Sequence, residues 1–134
     1  MGSCISYHFT REVIGFQPMA QVITIDGSLI EYSVPTNVSQ VLDKEYSTSF
    51  LCNSDELYFD ERIPELGYDH ELVELGQIYF MLPRSMLDQP VTRDDMAALA
   101  VKACLAFVGA LEKRESLTAS EIEFCRYMTQ DRLT

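Results

Sequence analysis

The chain has 134 residues, with 10 basic and 21 acidic side chains, a net charge of −11, and 47% hydrophobic against 23% charged residues. That length and balance describe one compact domain that can bury a core without disulfides or a structural metal, and they disfavour global disorder. The acidity argues against a nucleic-acid binder, whose affinity for phosphates comes from Lys and Arg, and no apolar run reaches the ~18–20 residues that span a bilayer.

The chain opens Met1-Gly2-Ser3-Cys4-Ile5-Ser6. This fits N-myristoylation, with Gly2 presenting an unhindered amine after Met removal and a hydroxyl at position six. Gly second with Ser or Thr sixth should coincide in about 1% of chains of average composition. A single myristoyl chain holds a membrane weakly, with an association constant on the order of 10⁴ M⁻¹, so stable residence requires a second signal. Residues 1–20 contain only Arg11 and Glu12 as charged side chains, so there is no polybasic patch. Cys4 is therefore the candidate second anchor, by S-palmitoylation. The expected location is the cytoplasmic face of the plasma membrane, or cytoplasm or nucleus without acylation.

Residues 7–20 read as a connector, and regular structure begins near Ala20. Val22–Ile25 and Leu29–Val34 are β-rich runs, and Asp26-Gly27 between them predicts a tight hairpin turn with positive φ at both central residues. Asn37 is placed to cap a helix over Val38–Glu45, with Gln40 reaching back, and Val38, Val41 and Leu42 share one face. Phe50-Leu51-Cys52 predicts another strand. Residues 53–76 form an acidic, irregular stretch, and Gln77–Leu82 reads as a buried strand stopped by Pro83. Hairpin, short helix, strand, loop and final apolar strand follow the order of a β-grasp, a small α+β roll.

After Pro90 the pattern becomes helical. Thr92 and Asp95 mark a helix start, with Asp94 and Asp95 favourable at the positive end of the dipole. Residues 96–111 carry Lys102 as their single charge. The segment is apolar on nearly every face, which suits a core helix and a partner-binding or self-associating helix equally. Met96, Leu99 and Phe107 are the candidate partner-binding side chains. Thr118-Ala119-Ser120-Glu121 resembles a further capping box, opening a helix with Ile122, Phe124, Cys125 and Met128. The expected organisation is an N-terminal lipidated segment and connector over 1–19, then one domain over 20–134, with a sheet part at 20–90 and a helical part at 91–134.

Charge is uneven along the chain. Residues 35–90 hold three basic and eleven acidic side chains, whereas residues 91–134 hold six and seven. An acidic lobe predicts a protein partner with a basic surface.

Catalytic chemistry is thinly represented. Asp55, Glu56, Asp60, Glu61 and Glu65 lack the alternating ligands and central Gly of a calcium loop, and read as a solvated acidic loop. Cys4, Cys52, Cys104 and Cys125 lie far apart, without the paired spacing of a zinc site, which predicts free thiols in a reducing compartment. The competing functional class is a small cysteine-dependent hydrolase or transferase with Cys52 as nucleophile and His70 as base. Cys52 lies in an apolar run, where a thiol stays neutral and inert. The expected class is therefore non-catalytic, with no cofactor and no metal.

Val22-Ile23-Thr24-Ile25-Asp26-Gly27-Ser28-Leu29-Ile30-Glu31-Tyr32, Pro35 and Val38-Ser39-Gln40-Val41-Leu42 together resemble the opening of the plant PADRE domain. Phe50-Leu51-Cys52-Asn53-Ser54-Asp55 and Leu75-Gly76-Gln77-Ile78-Tyr79-Phe80-Met81-Leu82-Pro83 extend the likeness, which covers about residues 1–112. The resemblance implies a role associated with pathogen and abiotic stress, without an assigned molecular activity or catalytic residues. That family is named partly for a disordered tail, whereas residues 116–134 here read as helical.

Overall fold

The computed structural model describes residues 18–111 and 119–127. Among the described residues, six strands and three α-helices make a mixed α+β arrangement. The main sheet contains β1 (Ala20–Ile23), β2 (Leu29–Tyr32), β4 (Ser49–Asn53) and β6 (Ile78–Pro83) in the order β2-β1-β6-β4. β1 runs antiparallel to β2 and parallel to β6, and β6 runs antiparallel to β4. A second, two-stranded antiparallel sheet joins β3 (Thr36–Asn37) to β5 (Leu72–Val73).

Side chains alternate across a strand with period two, and here both faces of the sheet are covered. Phe50 and Cys52 of β4, Ile78, Phe80 and Leu82 of β6, and Ile23 of β1 face one apolar cluster. Leu51, Tyr79, Met81, Ala20 and Val22, at the intervening positions, belong to the other. The first cluster is closed by α2 (Arg93–Leu111) and α3 (Ala119–Tyr127), and the second by α1 (Val38–Leu42) and Val73. Strands buried on both sides explain why the Gln77–Leu82 and Phe50–Cys52 runs are continuously apolar rather than alternating.

The hairpin differs from its sequence expectation. Ser28 O accepts from Thr24 N at 2.9 Å, and Thr24 O accepts from Gly27 N at 3.0 Å, so the reversal occupies five residues. Gly27 alone in the turn takes a positive φ, +88°, and Asp26 does not. The Asp26 carboxylate instead accepts the Thr24 hydroxyl and, at 3.2 Å, the Ser28 N–H. Those side-chain bonds tie the longer turn together and remove the need for a second left-handed residue.

Asn37 caps α1 as expected, but its side-chain oxygen accepts from Ser39 N at 3.4 Å. α1 is also shorter than the expected run, because Asp43 takes φ 50° and residues Asp43–Glu45 continue as a 3₁₀ turn. At the start of α2 the cap is reciprocal: Asp95 N donates to Thr92 Oγ1 and Thr92 N to Asp95 Oδ2, each at 3.0 Å. The N-terminal segment with Gly2 and Cys4, and the Thr118 cap proposed for α3, lie outside the described residues. The α3 segment is helical, in agreement with the sequence reading. Its Glu121 is fully buried and accepts from the Gln21 side chain of β1.

Candidate functional site

Among the described residues, the candidates of the sequence reading fall into three places. Cys52 sits on β4, where Phe50, Phe80 and Ile23 share its cluster, and it is 0% exposed. Burial pushes its thiol up to about 12, against which the Phe80 backbone contact works weakly. A thiol in that setting is protonated at neutral pH, and no substrate atom can reach it. His70 stands on the connection before β5 with its side chain 73% exposed, its Nδ1 3.1 Å from Asp69. The contact holds the Asp69 carboxyl below its usual range. One group is thus sealed in the core and the other is in solvent, so the fold does not assemble Cys52 and His70 as nucleophile and base.

The second place is the acidic surface. Every one of the eleven acidic side chains in residues 35–90 is exposed. Of the three basic residues there, Arg84 pairs with Glu65 at 2.9 Å and donates through Nε to Tyr46 O at 2.8 Å. Arg62 donates to the backbone carbonyls of Leu87 and Asp88 at 3.2 and 2.6 Å. These guanidiniums hold loops in place and leave the carboxylates in large excess. Among the described residues, no group of three or more His, Cys, Asp or Glu side chains converges as a metal site would require.

The third place is α2. Met96, Leu99 and Phe107, the candidate contact residues of the sequence reading, are buried within the chain's own core. Ala100, Ala103 and Ala106 complete that inward stripe, their small side chains letting the helix approach the sheet closely. The large apolar residues left facing solvent are Val101, Leu105 and Val108, at 58%, 65% and 50% exposure. Their i, i+4, i+7 spacing was legible in the sequence, but periodicity alone does not say which of two apolar faces meets the sheet. Lys102 donates to Ile25 O at 2.8 Å, joining the helix to the hairpin turn. A shallow groove of about 640 Å³ lies beside this bridge, lined by Asp26, Gly27, Ala98, Val101 and Leu105.

The sequence reading also missed a pairing of thiols. Cys104 on α2 and Cys125 on α3 lie 21 positions apart in the chain, yet their sulfurs are 3.4 Å apart.

The family model for the PADRE domain matches residues 1–131. The chain belongs to the PADRE family. PADRE is a stress-associated domain of unknown function, and its match runs from the first residue through the sheet, α2 and α3. No curated protein and no solved structure matches the chain. No helix among the described residues is long and apolar enough to cross a membrane.

Proposed function

We propose that this PADRE protein is a non-catalytic interaction module, tethered to the cytoplasmic face of the plasma membrane by acyl groups on Gly2 and Cys4, that docks a protein with a basic surface. The observation that carries this reading is the exposure of all eleven acidic side chains in residues 35–90 against three basic ones. Such a surface attracts a basic partner and raises the encounter rate at low salt. Anionic lipid headgroups repel the same surface within a Debye length of about 8 Å, so residence at a membrane needs attached hydrocarbon. A myristoyl group at Gly2 and a palmitoyl group at Cys4 would supply the two chains that stable anchoring requires. The sealed, protonated Cys52 supports a role without nucleophilic catalysis.

A β-grasp description of the sheet belongs to the same proposal. Its support is the parallel pairing of β1 with β6 at the centre, with antiparallel β2 and β4 outside them and α1 between β2 and β4.

The deciding experiment expresses the full chain and its Gly2→Ala and Cys4→Ser variants in plant cells, with mass spectrometry of the mature N-terminus and membrane fractionation. Two acyl groups on the parent chain, loss of both in Gly2→Ala and release of each variant into the soluble fraction are expected. A parent chain bearing neither group, or variants that fractionate with it, would overturn the tether. Capture of partners by the parent and by a Glu45→Gln, Glu56→Gln, Glu61→Gln variant tests the docking half. Weaker capture by the variant is expected, and equal capture would remove the electrostatic argument.

A further inference from the structure

We propose that Cys104 and Cys125 form a reversible intramolecular disulfide that fastens α3 to α2, with a hydroperoxide as oxidant. The two sulfurs are 3.4 Å apart, and both side chains are half-buried, so they face each other and remain within reach of a small solute. A disulfide needs a separation of about 2.05 Å, which leaves a short closing movement. Cys125 is held in place by its neighbour: the Phe124 ring lies 5.9 Å from Phe80 and, edge-on, 5.8 Å from Phe107. Cys104 sits one residue from Ala103, which is fully buried on the inward face of α2. The pair therefore spans a helix–helix seam whose two sides are each fixed by packing. Cys52, the remaining cysteine among the described residues, is fully buried and has no such access.

The two thiols react in turn. Burial first, and the contact with Cys104 second, push the Cys125 thiol up to about 12. Both sulfurs are half-buried, so either can meet the oxidant and the other then resolves it. The thiolate of the first attacks a peroxide oxygen, an S–O bond forms, the O–O bond breaks, and hydroxide leaves and takes up a proton to become water. The second sulfur then attacks that sulfenic acid, an S–S bond forms as the S–O bond breaks, and the departing oxygen leaves as water with the second thiol's proton. In sum, two thiols and one hydrogen peroxide give one disulfide and two waters, the sulfur pair losing two electrons and the peroxide gaining them. A thiol reductant reverses the bond by exchange, so in a reducing compartment the bond is transient. While closed, it holds α3, with Phe124 and Glu121, over the sheet.

The test uses the full chain with Cys4→Ser, so that the described cysteines are the ones counted, and hydrogen peroxide as the probe. Peroxide should remove two of the three remaining thiols, lower the intact mass by two hydrogen atoms and link the Cys104 and Cys125 peptides, all reversed by dithiothreitol. Amide exchange across residues 119–127 should slow by about tenfold or more in the oxidised chain. Adding either Cys125→Ser or Cys104→Ser should abolish the intramolecular bond and leave the remaining partner as a sulfenic acid that dimedone traps. Should either serine variant fail to fold, the peptide mapping of the parent still decides. Three intact thiols, linkage to Cys52 or between chains, or a bond that forms equally fast in the urea-unfolded chain would each overturn the proposal.

Discussion

Cys52 and Ser49 lie on one buried strand, and the surroundings of each decide its chemistry more than its residue type does. Cys52 is protonated in the fold because burial raises its pKa from 9.0 to about 12. The unfolded chain ionises first, so stability is at full value below pH 9 and declines as pH climbs from 9 toward about 12. Cys125 contributes with the same sign. Cys52→Ala removes the titrating proton without adding bulk to the packed site. Urea unfolding followed across that pH range should then show a shallower decline than in the parent, and an identical decline would count against a buried, protonated Cys52. Ser49 presents the opposite problem, since its hydroxyl is buried without a hydrogen-bond partner. An unsatisfied buried hydroxyl costs about 1–3 kcal/mol, so Ser49→Ala should raise the urea midpoint rather than lower it. The burial of Cys52 was legible from its apolar neighbours in sequence. The orphaned Ser49 hydroxyl was not, because satisfaction depends on what the other strands and helices bring near.

Among the elements, α2 shows most clearly where local patterning stops being informative. Its start is written in Thr92 and Asp95, whose reciprocal bonds close within four residues and need no tertiary partner. Its orientation is not, because Met96, Leu99 and Phe107 on one side and Val101, Leu105 and Val108 on the other are equally apolar. Packing against Ile23, Phe50 and Phe80 selects the first set. Phe107→Ala should accordingly cost about 3–5 kcal/mol in urea unfolding. Leu105→Glu should stay within ~0.5 kcal/mol of the parent, as expected for an exposed site. Equal losses for the two would mean that the helix is buried all round. The hairpin turn teaches a related point. Asp26-Gly27 correctly marked the reversal, but Thr24 and Ser28 recruited the Asp26 carboxylate and widened the turn to five residues.

For the whole molecule, the decisive quantity is where the charge sits. The −8 balance of residues 35–90 follows from composition, and the fold leaves every contributing carboxylate in contact with solvent. Under the proposed function, association with a basic partner is steered electrostatically. Raising the salt from low to high ionic strength should slow the association rate by about tenfold or more while changing dissociation little, as read by stopped-flow or surface-binding kinetics. A rate indifferent to salt would show that the acidic lobe takes no part in recognition.

The sequence by itself determined the main strands and helices and their order, the Asn37 and Thr92 caps and the acidic character of the middle of the chain, but not the short β3–β5 ladder. Each of these depends on residues within a turn or two of one another, or on composition alone. Only the tertiary structure decided which face of α2 is core, that Gln21 meets Glu121 across 100 positions, and that Cys104 and Cys125 come to 3.4 Å. Those contacts arise when helices close over one side of the sheet, and the stacking of layers depends on the packing of the entire apolar surface at once, which no local window of sequence contains.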